Sequence, residues 1–293
     1  MSHLTRVKTR LSLHSHRRVR GVLDGEYASM HTGRSLDFND LREYVRGDDV
    51  KDIDWKASAR SRQLLVKRYV ATRQHHVTLV VSTGRSMAAS NTRERSKRDA
   101  AIMAAGLVGW LALRHGDPVT VVHGDALTQH VRPPAATEVA LERGLAAAYD
   151  AISPASAPSD LTALLRFVVR TVRRRSIMLV VCDETGVDPA LDDALRRLVV
   201  QHEVMLVSVG DLDPTLPDGA AYVDVDTATE VPAWLRGDAQ LQAEYAALVG
   251  ERFTSMRETL EGRGIAHERV GDEESAVNGV FRLLERHRHA RAR

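Results

Sequence analysis

Residues 48–60 read Asp-Asp-Val-Lys-Asp-Ile-Asp-Trp-Lys-Ala-Ser-Ala-Arg, and the carboxylates of Asp48, Asp49, Asp52 and Asp54 could gather two divalent ions for phosphoryl chemistry. Arg46, Lys51, Lys56 and Arg60 stand among them, so ion pairs between neighbours are the expected use of these charges. A second stretch with chemical capacity is Ser82-Thr83-Gly84-Arg85-Ser86-Met87, three hydroxyls interrupted by a glycine and a cation. The histidine pairs His14/His16, His75/His76 and His287/His289 have no acidic or cysteine partner at ligand spacing and read as surface residues. Cys182 is a lone cysteine inside the run Ile177-Met178-Leu179-Val180-Val181, where a small buried hydrophobe is expected instead of a thiolate nucleophile. Arg286, Arg288, Arg291 and Arg293 crowd the last residues, but no aromatic is interleaved to stack bases, and nucleic acid is not an expected partner. A Walker A loop, an HExxH pair and a Gly-x-Ser-x-Gly elbow are all missing from the sequence.

These residues must be positioned by elements whose signals are mostly clear. The 293 residues, 43% apolar but only 4% aromatic, call for a core of Val, Leu and Ala. Residues 77–81 and 177–182 are short, apolar and rich in β-branched side chains, as expected of neighbouring parallel strands buried on both faces. Further strands are expected at 119–123, 204–209 and 265–269, a hairpin partner at 127–131 and a short strand at 221–225. Helices are expected over 93–115, 136–152, 160–174, 189–201 and 238–263, with a last one starting at Glu273. This alternation predicts an α/β fold with a doubly wound, mainly parallel sheet whose sites lie at strand C-termini.

The front of the chain differs. Residues 1–76 hold 16 Lys and Arg against 9 Asp and Glu, and the remainder 25 against 30, so a basic module precedes an acidic body. A small charged module is expected over residues 1–75 and the α/β domain over 76–293. Asp37 and Asp40 have capping-box spacing, Phe38, Leu41 and Tyr44 share a helical face, and Gly47 can end a two-turn helix. Asp54 reads as the cap of a second short helix, with Trp55 and Phe38 expected to be buried. The longest apolar run, residues 100–113, is shorter than the ~20 needed to span a bilayer, and the first residues lack the apolar stretch of a signal peptide. No membrane segment and a cytoplasmic location are therefore expected.

The wording of residues 33–60 adds a resemblance. Gly33-Arg34-Ser35-Leu36-Asp37-Phe38, Leu41-Arg42-Glu43-Tyr44, Gly47-Asp48-Asp49 and Ile53-Asp54-Trp55-Lys56-Ala57-Ser58-Ala59-Arg60 are similar, in order and spacing, to the signature of domain-of-unknown-function family 58. The resemblance implies a von Willebrand factor A-like domain behind this segment. Such domains carry a metal-ion-dependent adhesion site of the pattern Asp-x-Ser-x-Ser, completed by a hydroxyl from a second loop and an Asp ending a central strand. Carried over, those positions fall on Ser82, Gly84, Ser86, Ser159 and Asp183. The leading carboxylate and one hydroxyl are lost, and Arg85 brings a cation into the loop, so the site is expected to be degenerate, with no cofactor or at most a weakly held Mg²⁺. Ser82→Asp with Gly84→Ser is the change expected to restore it.

The resemblance also implies a role. Family relatives are commonly encoded beside MoxR-type AAA+ ATPases, so the expected function is a non-enzymatic adaptor, with the ATPase as partner and Arg42, Asp49, Arg60 and Arg85 at the contact. The alternatives are a metal-dependent hydrolase built on residues 48–54 and a nucleic-acid-binding accessory protein.

Overall fold

The computed structural model describes residues 2–14, 37–45, 48–50, 53–61, 63–70, 74–90, 96–184, 186–215 and 221–291. Two compact units result, one of Met1–Tyr27 with His75–Arg293, the other of Ala28–Gln74.

The larger unit is built on a six-stranded sheet. Its strands are β3 (Val77–Ser82), β4 (Val119–Gly124), β5 (Gln129–Ala135), β6 (Ile177–Asp183), β7 (Glu203–Val209) and β8 (Ala266–Val270), in the order β5-β4-β3-β6-β7-β8. All neighbours are parallel except β5, which returns antiparallel along β4 from residue 129. β3 and β6 lie side by side in the centre, and every residue of β3 is buried, as the continuous apolar runs require. After β3 the chain adds strands on one side, and after β6 on the other. The order thus reverses between β3 and β6, which opens a crevice beyond their carboxyl ends.

Helices cover the sheet: α3 (Lys97–Arg114), α4 (Glu138–Ala151), α5 (Leu161–Thr171), α6 (Pro189–Gln201), α7 (Ala239–Glu261) and α8 (Glu273–Arg291). Their starts follow local rules. Ser96, Thr137, Asp160, Asp188 and Asp238 each accept a hydrogen bond from a backbone N–H of the first turn, and Pro189 occupies the position where its missing N–H costs nothing. The apolar run 100–113 forms the middle of α3, almost wholly buried, and no described helix is long and apolar enough to cross a membrane. Residues 221–225 form only a single bridge, Val223 to Glu230, in place of the expected strand.

Helix α1 (His3–His14) belongs to this larger unit, so residues 1–75 do not form one compact module. Leu4, Val7 and Leu11 are buried at helical spacing, and Glu142 of α4 accepts 2.8 Å hydrogen bonds from the free N–H groups of His3 and Leu4. Arg6 pairs with Asp99 at 3.0 Å and Glu273 at 2.5 Å. His287, expected at the surface, is 3% exposed on α8, with Nε2 4.0 Å from a Glu203 oxygen.

The smaller unit departs most from its local signals. Residues expected as a helix form strand β1 (Asp37–Glu43), antiparallel to β2 (Leu65–Val70), with Arg42 opposite Val66 and Glu43 opposite Leu65. Capping boxes and apolar spacing act within one segment, whereas β1 is set by a partner strand more than twenty residues away. Gly47, expected to end that helix, lies outside the described residues. The cap at Asp54 is present: Oδ1 accepts from the N–H groups of Lys56 at 3.1 Å and Ala57 at 3.0 Å, starting α2 (Trp55–Ser61). Trp55, however, is 62% exposed, and among the described residues the buried apolar ones here are Ile53 and Val66. The side chain of Phe38 lies outside the described ones. Trp55→Ala is therefore expected to cost less than ~1 kcal/mol, read as the shift of the urea midpoint. A loss of several kcal/mol would mean that the indole is held by contacts its exposure does not reveal.

Candidate functional site

The crevice between β3 and β6 collects the residues that the sequence singled out in the body. Ser82 ends β3 and is 1% exposed, Thr83 follows at 2%, and Thr83 N–H donates to the Gly124 carbonyl at 2.8 Å. A single turn of 3₁₀ helix, Arg85–Ala88, carries Ser86 upward, with fully buried Met87 as its anchor. The second loop meets it directly, Arg85 N–H donating to the Ala157 carbonyl at 3.0 Å, and is also held by the turn between β4 and β5, where Ala126 N–H donates to the Pro158 carbonyl at 3.0 Å.

Three side chains then form a chain of hydrogen bonds. Ser86 Oγ donates to a carboxylate oxygen of Asp183 in a short contact, and Ser159 Oγ lies 2.6 Å from Ser86 Oγ. Each hydroxyl has one proton, and that of Ser86 is committed to Asp183, so Ser159 is the donor to Ser86. Gly84 supplies no oxygen. Its backbone is ordinary (φ −66°, ψ 165°), but a Cβ there would overlap the backbone N and Cα of Ser159 as well as its Oγ. Replacement is thus opposed by close approach of the second loop, and not by a left-handed backbone.

The relay opens into a cavity of about 410 Å³ with Pro158, Leu161, Glu184 and Asp226 in its wall. Arg85 stands at this mouth, 30% exposed, its Nε 4.0 Å from an Asp226 oxygen and buried without a hydrogen-bond acceptor. Beneath the crevice Cys182 is fully buried, and burial pushes its thiol well above the ordinary range, as expected for a packing residue.

Three candidates in the smaller unit, Arg42, Asp48 and Asp54, are otherwise occupied. Arg42 makes a paired contact to Asp48 at 2.8 and 2.6 Å, and Asp48 also accepts from the Val45 N–H at 2.9 Å. The hydrogen bond from Arg42 and that from Val45 hold the Asp48 carboxyl below its usual range. Asp54 is used as a helix cap, and Asp52 lies outside the described residues. Asp49 and Arg60 are exposed. Among the described residues no group of three or more His, Cys, Asp and Glu could hold a metal ion.

The family model described as "Protein of unknown function DUF58" matches residues 40–254, most of the chain and parts of both units. The chain belongs to this family. Uncharacterized protein Rv1480 of Mycobacterium tuberculosis is 28% identical to this DUF58 protein over 261 residues, 87% of this chain and 80% of the relative. Uncharacterized protein Mb1516 of Mycobacterium bovis matches at the same level. Among solved structures, the conserved hypothetical protein BatB from Bacteroides thetaiotaomicron overlaps 73% of this chain and 98% of its own at 15% identity, with a TM-score of 0.42. A von Willebrand factor type A structure from Catenulispora acidiphila overlaps 73% of this chain and 43% of its own at 11% identity, with a TM-score of 0.41. Overlaps this shallow add nothing to the strand order, which by itself gives the doubly wound, mainly parallel sheet.

The edge of the DUF58 body also holds charged residues that motif reading passed over. Lys97, at the start of α3, has a fully buried side chain whose Nζ donates to Asp211 at 2.5 Å. Arg269 of β8 pairs with Glu184 through Nε and Nη2, the latter at 3.0 Å. Glu184 and Asp211 closely follow the C-terminal ends of β6 and β7, and the rule that sites gather there could have found them.

Proposed function

We propose that this DUF58 protein is a non-enzymatic adaptor with a von Willebrand factor A-like body, and that it engages a MoxR-type AAA+ ATPase through the carboxyl edge of its sheet. The relay Ser159–Ser86–Asp183, open to a cavity beside Arg85, is the observation that carries this reading. It keeps the surface of an adhesion site while its donors satisfy one another.

On this reading the contact is made without a resident Mg²⁺. Such an ion wants six oxygens in a near-ideal octahedron, whereas the pattern here retains one carboxylate and two hydroxyls. Ser82 is buried, and Gly84 has no room for an oxygen-bearing side chain. The partner would instead meet the hydroxyls and the Arg85 guanidinium directly, and charges at such a rim set orientation and on-rate. Asp49 and Arg60 remain exposed in the smaller unit as further contacts, while Arg42 serves mainly to hold Asp48.

Arg85→Glu tests the proposal. Its head group lies at the cavity mouth, so the variant should keep the wild-type melting temperature and bind the purified ATPase at least about tenfold more weakly. The same affinity in EDTA and in Mg²⁺ is expected for the wild type. Unchanged capture by Arg85→Glu would overturn the assignment of this edge.

A further inference from the structure

A second cavity, about 530 Å³, lies between α7 and the ends of β6 and β7. Helix α7 spans 23 residues, yet only Met256 and Leu260 are buried. Tyr245, Val249 and Phe253 continue the same face at four-residue spacing and line the cavity without closing it. The opposite wall is Val187, Glu184 and Asp211.

These carboxylates are held from behind. Lys97 has a fully buried side chain under Asp211, whose own side chain is 56% exposed, and Arg269 clamps Glu184. A buried lysine and a part-buried arginine thus fix two acidic groups at the rim of an apolar trough. Glu184 also lines the first cavity, beside Asp183 and Asp226. Among the described residues the two cavities carry five carboxylates, those of Asp183, Glu184, Asp211, Asp226 and Glu251, against Arg85 and Arg252 in the lining and Lys97 and Arg269 behind it, so a small negative excess remains and the half-exposed Asp211 presents it to the cleft. Burial and the nearby charges of Asp211, Asp213 and Glu184 raise the pKa of the Tyr245 phenol, in keeping with a negative field on that wall.

The geometry points to the α7 cleft as the docking site for a partner's peptide segment that carries a lysine or arginine next to a large apolar side chain. The apolar group fills the trough against Val249, Phe253 and Met256. The basic side chain lays its methylene stem along Tyr245 and brings its head to Asp211. An acidic peptide meets like charge at the rim, and a phosphate backbone is repelled for the same reason. The inference rests on the body being an interaction module, and it supplies the chemistry of the segment bound.

The test uses the full chain against an arrayed library of short peptides, with binding of the retained peptides measured by fluorescence anisotropy. The expected result is enrichment of Lys or Arg adjacent to Leu, Phe or Met. Those peptides should bind at least about tenfold more weakly to Val249→Arg, which fills and charges the trough from a stretch of α7 that has no buried residue. Tyr245→Ala should weaken them too, and raised salt should reduce binding to the wild type. Retained peptides that are acidic, an array that retains nothing, or affinities untouched by Val249→Arg would each overturn the cleft. Peptides lost with Arg85→Glu but not with Val249→Arg would leave the loop edge standing and reject the cleft alone.

Discussion

A chain carrying Ser82→Asp and Gly84→Ser together is expected to lose about 5 kcal/mol or more of stability and to gain no measurable Mg²⁺ affinity. The two changes rebuild the adhesion-site pattern on paper, and the packing forbids it. A side chain on Gly84 must displace the backbone of Ser159, and a tightly packed backbone does not shift as the tip of a flexible side chain would. The Ser82→Asp change would then place a carboxylate where the present residue is only 1% exposed, beside a relay that supplies no cation to pair with it. Losses of this size approach the whole stability of a typical domain. Urea unfolding of the double and both single variants, with calorimetric Mg²⁺ titration of any that fold, checks the expectation. A folded double variant that binds Mg²⁺ would show that the second loop can retreat.

The second large effect is acid instability. Burial, then the charges of His130 and Arg132, pushes His123 down to about 4, and burial, then Arg286 and Arg257, does the same for His267. Both are neutral in the folded protein at about pH 6, whereas the unfolded chain protonates them near 6.5. Between about 6.5 and 4 the unfolded state therefore binds more protons, and stability falls as pH falls. The stabilisation is whole above the unfolded pKa and is lost progressively below it, by roughly 3 kcal/mol for each histidine at the low end. His202, lowered by burial in the same direction, adds to the slope. Urea midpoints at about pH 7.5, 6 and 4.5 should decline steadily, and His267→Gln, which keeps a partner for Ser208, should flatten part of the decline. Equal stability at the two ends of that range would contradict the buried, uncharged state of these rings.

The sheet and most helix ends were legible because their signals are local and repeated. A strand buried on both faces has to be apolar along its length, so 77–81 and 177–182 announce themselves as central and adjacent. A helix start needs an acceptor for its free N–H groups, so Asp160, Asp188 and Asp238 mark α5, α6 and α7 closely. The resemblance of the front segment located the family and, through it, Ser86, Ser159 and Asp183, which the fold does bring together.

What the tertiary structure alone decided concerns partners far apart in the chain. Residues 37–43 carry helix signals and become a strand because β2 supplies the missing half of the ladder. Trp55 lies on the outer side of α2, which its type and spacing do not reveal. Gly84 looks like a lost ligand and is the point where two loops touch, and the buried cation at Lys97 depends on a carboxylate more than a hundred residues away. Periodicity and capping report the free energy of a segment on its own, whereas close approach, burial and charge pairing are properties of two segments at once. One strand of text holds only the first kind of information, so the elements could be read from it and the chemistry at their meeting points could not.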